Sequence, residues 1–419
     1  MFVSVLDENN FPVLYHPIHK GARYMYGFII KDVTIYSETG IYQHGYIQVE
    51  DGIITAIGDV NQLDQEKSRT LQVIQPSYKS VLIPGMIDVH IHGVAGADTM
   101  DATQEAIQTM ATHLPKEGTT SFLATTMTQE EAAIEEALVN VSTYMRDASS
   151  NGTAEVLGIH LEGPFLSKKR AGAQPVEHMK QPDIEMFQRW QQLANYNIRL
   201  VTLAPEEQNG MHLIQHLNDS GVVASVGHSD ATYEEVEQAV KAGATHVTHL
   251  FNGMRGLHHR EPGVAGAALL HDELFVEMIA DGIHIRPEIV KIAYRQKTSD
   301  RVLLISDAIR AKCLKQGSYD LGGQDVQVGE TRATLSDGTL AGSILKMKDA
   351  MHNMFTFTDC SMEDMIQMTA SNPAKQLGVD DRKGSIAVGK DADLVLLDDT
   401  LEVEMTFCRG KLAYQQGGS

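Results

Sequence analysis

Pro84-Gly-Met-Ile-Asp-Val-His90-Ile-His92-Gly93 sets an apolar run against two histidines that alternate at its end. Successive residues of a strand point to opposite faces, so the two imidazoles share one face. If that face opens into a barrel mouth, both can reach one divalent cation through neutral ring nitrogens. The competing reading is a pair of unrelated strand histidines. The same grammar then repeats: a short, β-branched apolar run, a polar residue at its end, and a longer amphipathic stretch. The runs fall at 86–91, 119–124, 155–161, 198–203, 222–226, 245–248, 274–280 and 301–305. Eight parallel strands in one unbroken βα series predict an α/β fold, a (β/α)8 TIM-type barrel, because a doubly wound sheet rarely needs that many units.

Helices are expected at 129–144 and 233–242, where Ala, Glu and Val recur at three- and four-residue spacing. Thr128 and either Asp230 or Thr232 stand as their N-caps. Met347, Met351 and Met354 have helical spacing and read as core. Outside the barrel, 46–58 reads as two strands about a turn at Asp51-Gly52, with more strands at 389–397 and 403–414. The apolar run within 391–398 can pair with the N-terminal strands. The two ends are therefore expected to meet in a small β-sandwich domain, with 1–83 and 379–419 flanking a barrel at 84–378. The stretch 308–342, with Gly317, Gly322, Gly323 and Gly338, is too long for a plain βα connection. It reads either as a flap over the site or as a surface excursion.

The 419 residues accommodate one barrel and a satellite module, and 42% hydrophobic with 21% charged residues is the balance of a soluble globular protein. A net charge of −21 argues against nucleic acid and anionic membranes as partners. An anionic small substrate would need a local cluster of Arg or backbone N–H groups. Cys313, Cys360 and Cys408 are odd in number and far apart, which speaks against a disulfide framework or a thiolate site and for a reducing cytoplasm. The start, Met-Phe-Val-Ser-Val-Leu-Asp-Glu, lacks the pattern of a secretory signal, and no apolar stretch approaches membrane-spanning length.

Further potential ligands stand at the same address as His90 and His92: Glu162 ends the third run, His228 the fifth, His249 the sixth and Asp307 the eighth. TIM barrels build their sites at these strand ends. Mixed N and O donors suit zinc, iron, manganese or cobalt better than calcium. Glu162 can bridge two ions, so one or two divalent metals per subunit fit. Such ions polarise a carbonyl or lower the pKa of a bound water, and Asp307 can then serve as general base and general acid. In the sixth loop, backbone N–H groups near Asn252 and Gly253 with the Arg260 guanidinium can bind a phosphate or carboxylate. Alternatively that loop is simply solvated, with Arg260 in a surface ion pair. His284, closing the seventh run, either hydrogen-bonds substrate or is structural. His16, His19, His113, His178, His212, His216, His258, His259 and His271 have no such context and receive no role.

Taken together, Pro-Gly-Met-Ile-Asp-Val-His-Ile-His-Gly, His-Leu-Glu162-Gly-Pro-Phe, Leu-Ala-Pro-Glu206, Val-Gly-His228-Ser-Asp-Ala, Thr-His249-Leu-Phe-Asn-Gly-Met, Arg260-Glu-Pro-Gly, Ala-Asp-Gly-Ile-His284, Ser-Asp307-Ala and Leu340-Ala-Gly-Ser make the chain resemble the N-acetylglucosamine-6-phosphate deacetylases of the amidohydrolase superfamily. The resemblance covers nearly the whole chain, and Glu-Gly-Pro-Phe with Arg-Glu-Pro-Gly is its most specific part. It implies hydrolysis of the acetamide of a small phosphorylated amino sugar, in amino-sugar catabolism and cell-wall recycling. It also implies that Glu162, His228 and His249 hold the metal common to all members and that Asp307 is the acid/base. Asn252, Gly253 and Arg260 would contact the phosphosugar, and His284 with the Leu340-Ala341 backbone the sugar ring or acetamide. Having both His90 and His92, the chain looks like the two-metal kind. Gln174 stands where some members carry a substrate-touching His. The resemblance further implies a homodimer in which a partner chain completes the phosphate site. A cyclic-amide hydrolase of the same superfamily would bridge its metals with a modified Lys, where this chain has Glu162. A non-catalytic scaffold would tend to have lost ligands or Asp307, and none is missing.

Overall fold

The eight runs form eight parallel strands: Met86–Ile91, Thr119–Thr125, Glu155–Glu162, Ile198–Leu203, Val223–Val226, His246–Val247, Phe275–Met278 and Val302–Leu304. Each pairs with the next in chain order. They belong to a computed structural model that describes residues 3–6, 12–15, 27–64, 66–76, 79–147 and 152–417; His16 and His19 lie outside the described residues. The first and second strands are buried along their whole length, as a parallel sheet covered by helices requires. The ring closes at its mouth. His90 O accepts from Asp307 N at 2.9 Å, and Ala308 O accepts from both His92 N and Gly93 N at 2.9 Å. This closure sets the histidines of the first strand beside the aspartate that follows the last.

The helix at Tyr233–Ala242 has the expected bounds because Thr232 and Glu235 form a reciprocal capping box. Asp230, the alternative cap, instead binds Arg170 and Arg255, at 2.8 and 2.9 Å. The preceding helix is corrected: it begins at Glu131 rather than 129, and Thr128 does not cap it. Thr128 gives its backbone N–H to Gln174 Oε1, while its buried hydroxyl makes no hydrogen bond among the described residues. Met347, Met351 and Met354 line the buried face of Met347–Phe357.

The second sheet is mixed and draws on both ends of the chain: Gly27–Ser37, Gly40–Glu50, Ile53–Asp59, Gln72–Ile74, Val81–Pro84, Leu394–Leu397, Val403–Cys408 and Lys411–Gln415. Asp51 and Gly52 make the hairpin turn with φ of 51° and 81°, the paired left-handed conformation that suits tight hairpins. Leu394–Leu397 reaches the N-terminal strands through Val81–Pro84, which leads directly into the barrel. The central strand Gly27–Ser37 is absent from the sequence reading. Phe28 on that strand stacks on Phe407 at 4.8 Å, although two strands separate theirs in the sheet. The sheet therefore folds over its own core, which produces the two-layer module.

Of the two readings of 308–342, the flap matches the packing. Gly317–Leu321 and Gln324–Val328 form a hairpin whose Leu321 and Val326 pack with Met127, Ile309 and Ala341. Gln324 Nε2 ties it to Ala173 O at 2.5 Å. Among the described residues no helix is long and apolar enough to cross a membrane.

Candidate active site

A cavity of about 220 Å³ opens at the barrel mouth, lined by His92, Glu162, Gln174, His228, His249 and Asp307 among others. Glu162 stands at its centre. Its Oε1 lies 3.2 Å from His228 Nε2 and 3.1 Å from His249 Nε2, and those two nitrogens are 3.1 Å apart. Oε2 lies 3.2 Å from His92 Nε2. On the other side Asp307 Oδ1 is 3.3 Å from His90 Nε2 and 3.4 Å from His92 Nε2. The six residues expected from sequence thus form two adjoining clusters, His90/His92/Asp307 and Glu162/His228/His249.

Hydrogen bonds on the far sides of the rings decide what faces inward. His228 Nδ1 donates to Arg170 O at 2.8 Å, and His249 Nδ1 donates to Asn252 O at 3.0 Å. A carbonyl oxygen only accepts, so each neutral ring carries its proton on Nδ1 and turns an Nε2 lone pair toward the other and toward a carboxylate. His90 Nδ1 is likewise bound, to Glu277 Oε2 at 2.9 Å, and its buried Nε2 makes no hydrogen bond among the described residues. Convergent lone pairs and carboxylates repel one another unless a positive charge lies between them. The donor set therefore fits a divalent cation, and two ions can share Glu162.

Backbone strain marks the same place. His228, His249 and Asp307 adopt φ of 47°, 29° and 48°, a region that side chains other than glycine seldom enter. Such residues persist where surrounding structure over-determines them. Here Asp230 supplies part of that hold: its ion pairs with Arg170 and Arg255 tie the third, fifth and sixth loops around His228.

The electrostatics follow from burial against opposite charge. Burial opposes ionisation of Glu162, but the neighbouring His90, with His228 and His249 in contact, holds its carboxyl well below the usual carboxylate range. Asp307 is also lowered, by His90 and His92 against burial. The carboxylates in turn draw protons onto His90 and His92. Although burial disfavours the charge, hydrogen bonding with Asp307 and Glu162 raises His92 to about 9. Protons and a cation compete for these lone pairs.

The remaining expected residues divide. Asn252, Gly253, His284, Leu340 and Gln174 line the cavity, and Leu321 and Thr339 of the flap join them. His284 is held by Asp281, Nδ1 to Oδ2 at 2.6 Å. Gln174 donates to Glu162 Oε2 at 2.8 Å while accepting from Thr128 N, so its amide orients the central carboxylate. Two of the expected residues lie outside this lining. Arg260 does not line the cavity; it is exposed on the sixth loop, against His259 Nε2 at 2.7 Å. Ala341 is buried in the flap core, and its N–H is taken by Ala333 O. Asn252, similarly, gives its backbone N–H to His249 O.

Sequence reasoning missed three buried polar residues beneath the cavity: His160, His246 and Glu277. His160 was visible in principle, since it precedes Glu162 by two and shares its strand face. Glu277 was visible as a lone carboxylate in the apolar run 274–280. No lysine lines the cavity, so the modified-Lys bridge of a cyclic-amide hydrolase has no counterpart among the described lining residues.

Comparison with known proteins agrees with this site. The amidohydrolase family model matches residues 81–413. The N-acetylglucosamine-6-phosphate deacetylase of Bacillus subtilis is 51% identical over 92% of this chain and 97% of its own. The solved deacetylase of that name from Thermotoga maritima, 36% identical, superposes with a TM-score of 0.83 over 93% of this chain and all of its own. A Mycobacterium smegmatis deacetylase, an Asp-to-Ala variant solved in complex with N-acetyl-D-glucosamine-6-phosphate, is 29% identical with a TM-score of 0.85 over the same shares.

Proposed function

We propose a division of labour for the mouth residues of a chain that belongs to the amidohydrolase family and, within it, to the N-acetylglucosamine-6-phosphate deacetylases. The enzyme is a metal-dependent hydrolase that converts N-acetyl-D-glucosamine 6-phosphate to D-glucosamine 6-phosphate and acetate, a step of amino-sugar catabolism. The observation that carries the assignment of roles is the convergence of His228 and His249 Nε2 on Glu162 Oε1, adjoining the His90/His92/Asp307 cluster.

Glu162, His228 and His249 would hold one divalent cation, and His90, His92 and Asp307 would hold a second. When bound, such ions supply Lewis-acid polarisation of the scissile carbonyl and acidify water; zinc, iron, manganese and cobalt all suit the donors. Asp307, facing the cavity from the closure of the barrel, takes a proton from water and returns it to the leaving amine. His284, fixed by Asp281, donates from Nε2 to the substrate carbonyl or sugar ring. Leu340 and Leu321 shut the apolar side of the cavity against solvent. Gln174 acts on Glu162 rather than on the sugar. Gly253 and the Asn252 side chain approach the phosphosugar. Arg260 is too exposed to serve its own cavity, and we place it in a homodimer, where the sixth loop of one protomer completes the phosphate site of the other. The barrel proper spans 84–378, and the enzyme acts in the cytoplasm, where its three unpaired cysteines stay reduced. Recycling of cell-wall amino sugar is one source of its substrate.

The test is acetate release from N-acetylglucosamine 6-phosphate and from the unphosphorylated sugar, before and after chelation and metal return. The expected outcome is metal-dependent release that favours the phosphorylated sugar. Equal rates on both sugars would remove the phosphate site from the reading, and no release despite bound metal would remove the deacetylase.

A further inference from the structure

Glu277 sits inside the seventh strand, fully buried and absent from the cavity lining, so no step of the proposed reaction uses it. Yet its two oxygens serve three donors from two other parts of the barrel. Oε2 accepts from His90 Nδ1 at 2.9 Å and from the backbone N–H of His249 at 2.9 Å. Oε1 accepts from His246 Nε2 at 3.1 Å. The His90 bond keeps that ring's proton on Nδ1 and leaves Nε2 for the first cluster. The His249 bond pins the turn where φ is 29°, which aims the His249 ring into the second cluster. One carboxylate therefore touches both clusters from behind.

We propose that Glu277 is a positioning residue that couples the two cation sites: its charge strengthens His90 as a ligand, and its oxygen anchors the turn that presents His249. The inference rests on the reading of these residues as cation ligands. A carboxylate behind a ligating imidazole fixes the tautomer and raises ring basicity, and its loss typically weakens binding by about 10- to 100-fold.

The two effects separate by substitution. In Glu277→Gln the amide oxygen must face the unalterable N–H of His249, so the turn is kept; the charge behind His90 is lost, and the amide NH2 faces His246 Nε2, which accepts it once that ring moves its proton to the unpaired Nδ1. In Glu277→Leu both are lost. Co2+ is titrated into chelated, dialysed protein and followed by visible absorption and calorimetry, with His92→Ala identifying the second site. Glu277→Gln is expected to weaken the His90 site by at least ~10-fold while leaving the other within about 3-fold, and Glu277→Leu to weaken both. Unchanged binding in Glu277→Gln, equal weakening at both sites, or a Glu277→Leu that spares the His249 site would overturn the proposal. Should Glu277→Leu not fold, 15N-histidine spectra of the wild-type zinc protein decide. The ring signal lost in His90→Asn must show Nδ1–H, and an Nε2–H there overturns the coupling. Binding is read without turnover, so a failed deacetylase assignment leaves this result standing.

Discussion

The third barrel strand, Glu155–Glu162, begins and ends in a carboxylate cluster, half-buried at its start and buried at its end, and the two ends are built to opposite rules. At its start Glu155 meets Arg382 at 2.8 Å and Lys383 at 2.8 Å, and Lys383 also binds Asp391 and Asp393. Those cations are covalently part of the chain. At its end Glu162 meets imidazoles and the neutral Gln174 amide, and His228 and His249 turn lone pairs toward it. A carboxylate cluster supplied with fixed cations is finished when the chain folds, whereas one supplied with lone pairs is completed only by a cation from solution. The difference separates a structural joint between barrel and second sheet from a site that does chemistry.

The comparison is broken first, and by the largest effect, at the mouth. Asp307→Asn should lower kcat about 10³-fold or more while thermal stability and cation binding at Glu162, His228 and His249 stay near wild type. A loss under tenfold in acetate release would mean that another group carries the proton. At the base the opposite pattern is expected. Lys383→Met strands Asp393 and weakens the hold on Glu155, so denaturant unfolding should show a loss of about 3–5 kcal/mol with kcat per folded molecule unchanged. A fall in kcat without loss of stability would show that the joint reaches the site.

The pH response sharpens the same contrast. Burial opposes the charge of Glu155, but Arg382 and Lys383 hold its pKa at about 2, against 4.5 for the free side chain. Because the folded value is the lower one, the stabilisation is full above 4.5 and is lost as pH falls through about 2. Linkage puts it at about 3 kcal/mol. Glu155→Gln should flatten the acid limb of stability between pH 5 and 2 and leave the limb above pH 5 unchanged. The smallest effect is expected at the flap. Gln324→Ala removes the bond to Ala173 and should cost about 1 kcal/mol locally. It would appear as a few-fold higher KM with cation affinity preserved; an unchanged KM would mean that the flap is held by Leu321 and Val326 alone.

Much of this was legible in one dimension. Apolar runs closed by His90, His92, Glu162, His228, His249 and Asp307 recur along the chain, and strand ends of a barrel converge wherever the chain goes in between. Hairpin chemistry at Asp51-Gly52 and the Thr232–Glu235 box were equally local. Arg260 lies beside the ligand loop in sequence, but its side chain is exposed and off the lining of its own cavity, which the sequence could not show. Glu277 was passed over because a single charge in an apolar strand has no local partner. Its partners, His90, His246 and His249, come from other strands.

The sequence by itself determined the strand order, the identity of the residues at each strand end, and hence the kind of chemistry, because those properties follow from local periodicity and residue type. Only the tertiary structure decided that the first and last strands meet at the mouth, so that His90 and His92 face Asp307. It also decided which nitrogen each imidazole turns inward, and that one buried Glu277 holds both clusters. These are matters of hydrogen bonds between elements far apart in the chain, and such bonds exist only once the barrel has closed.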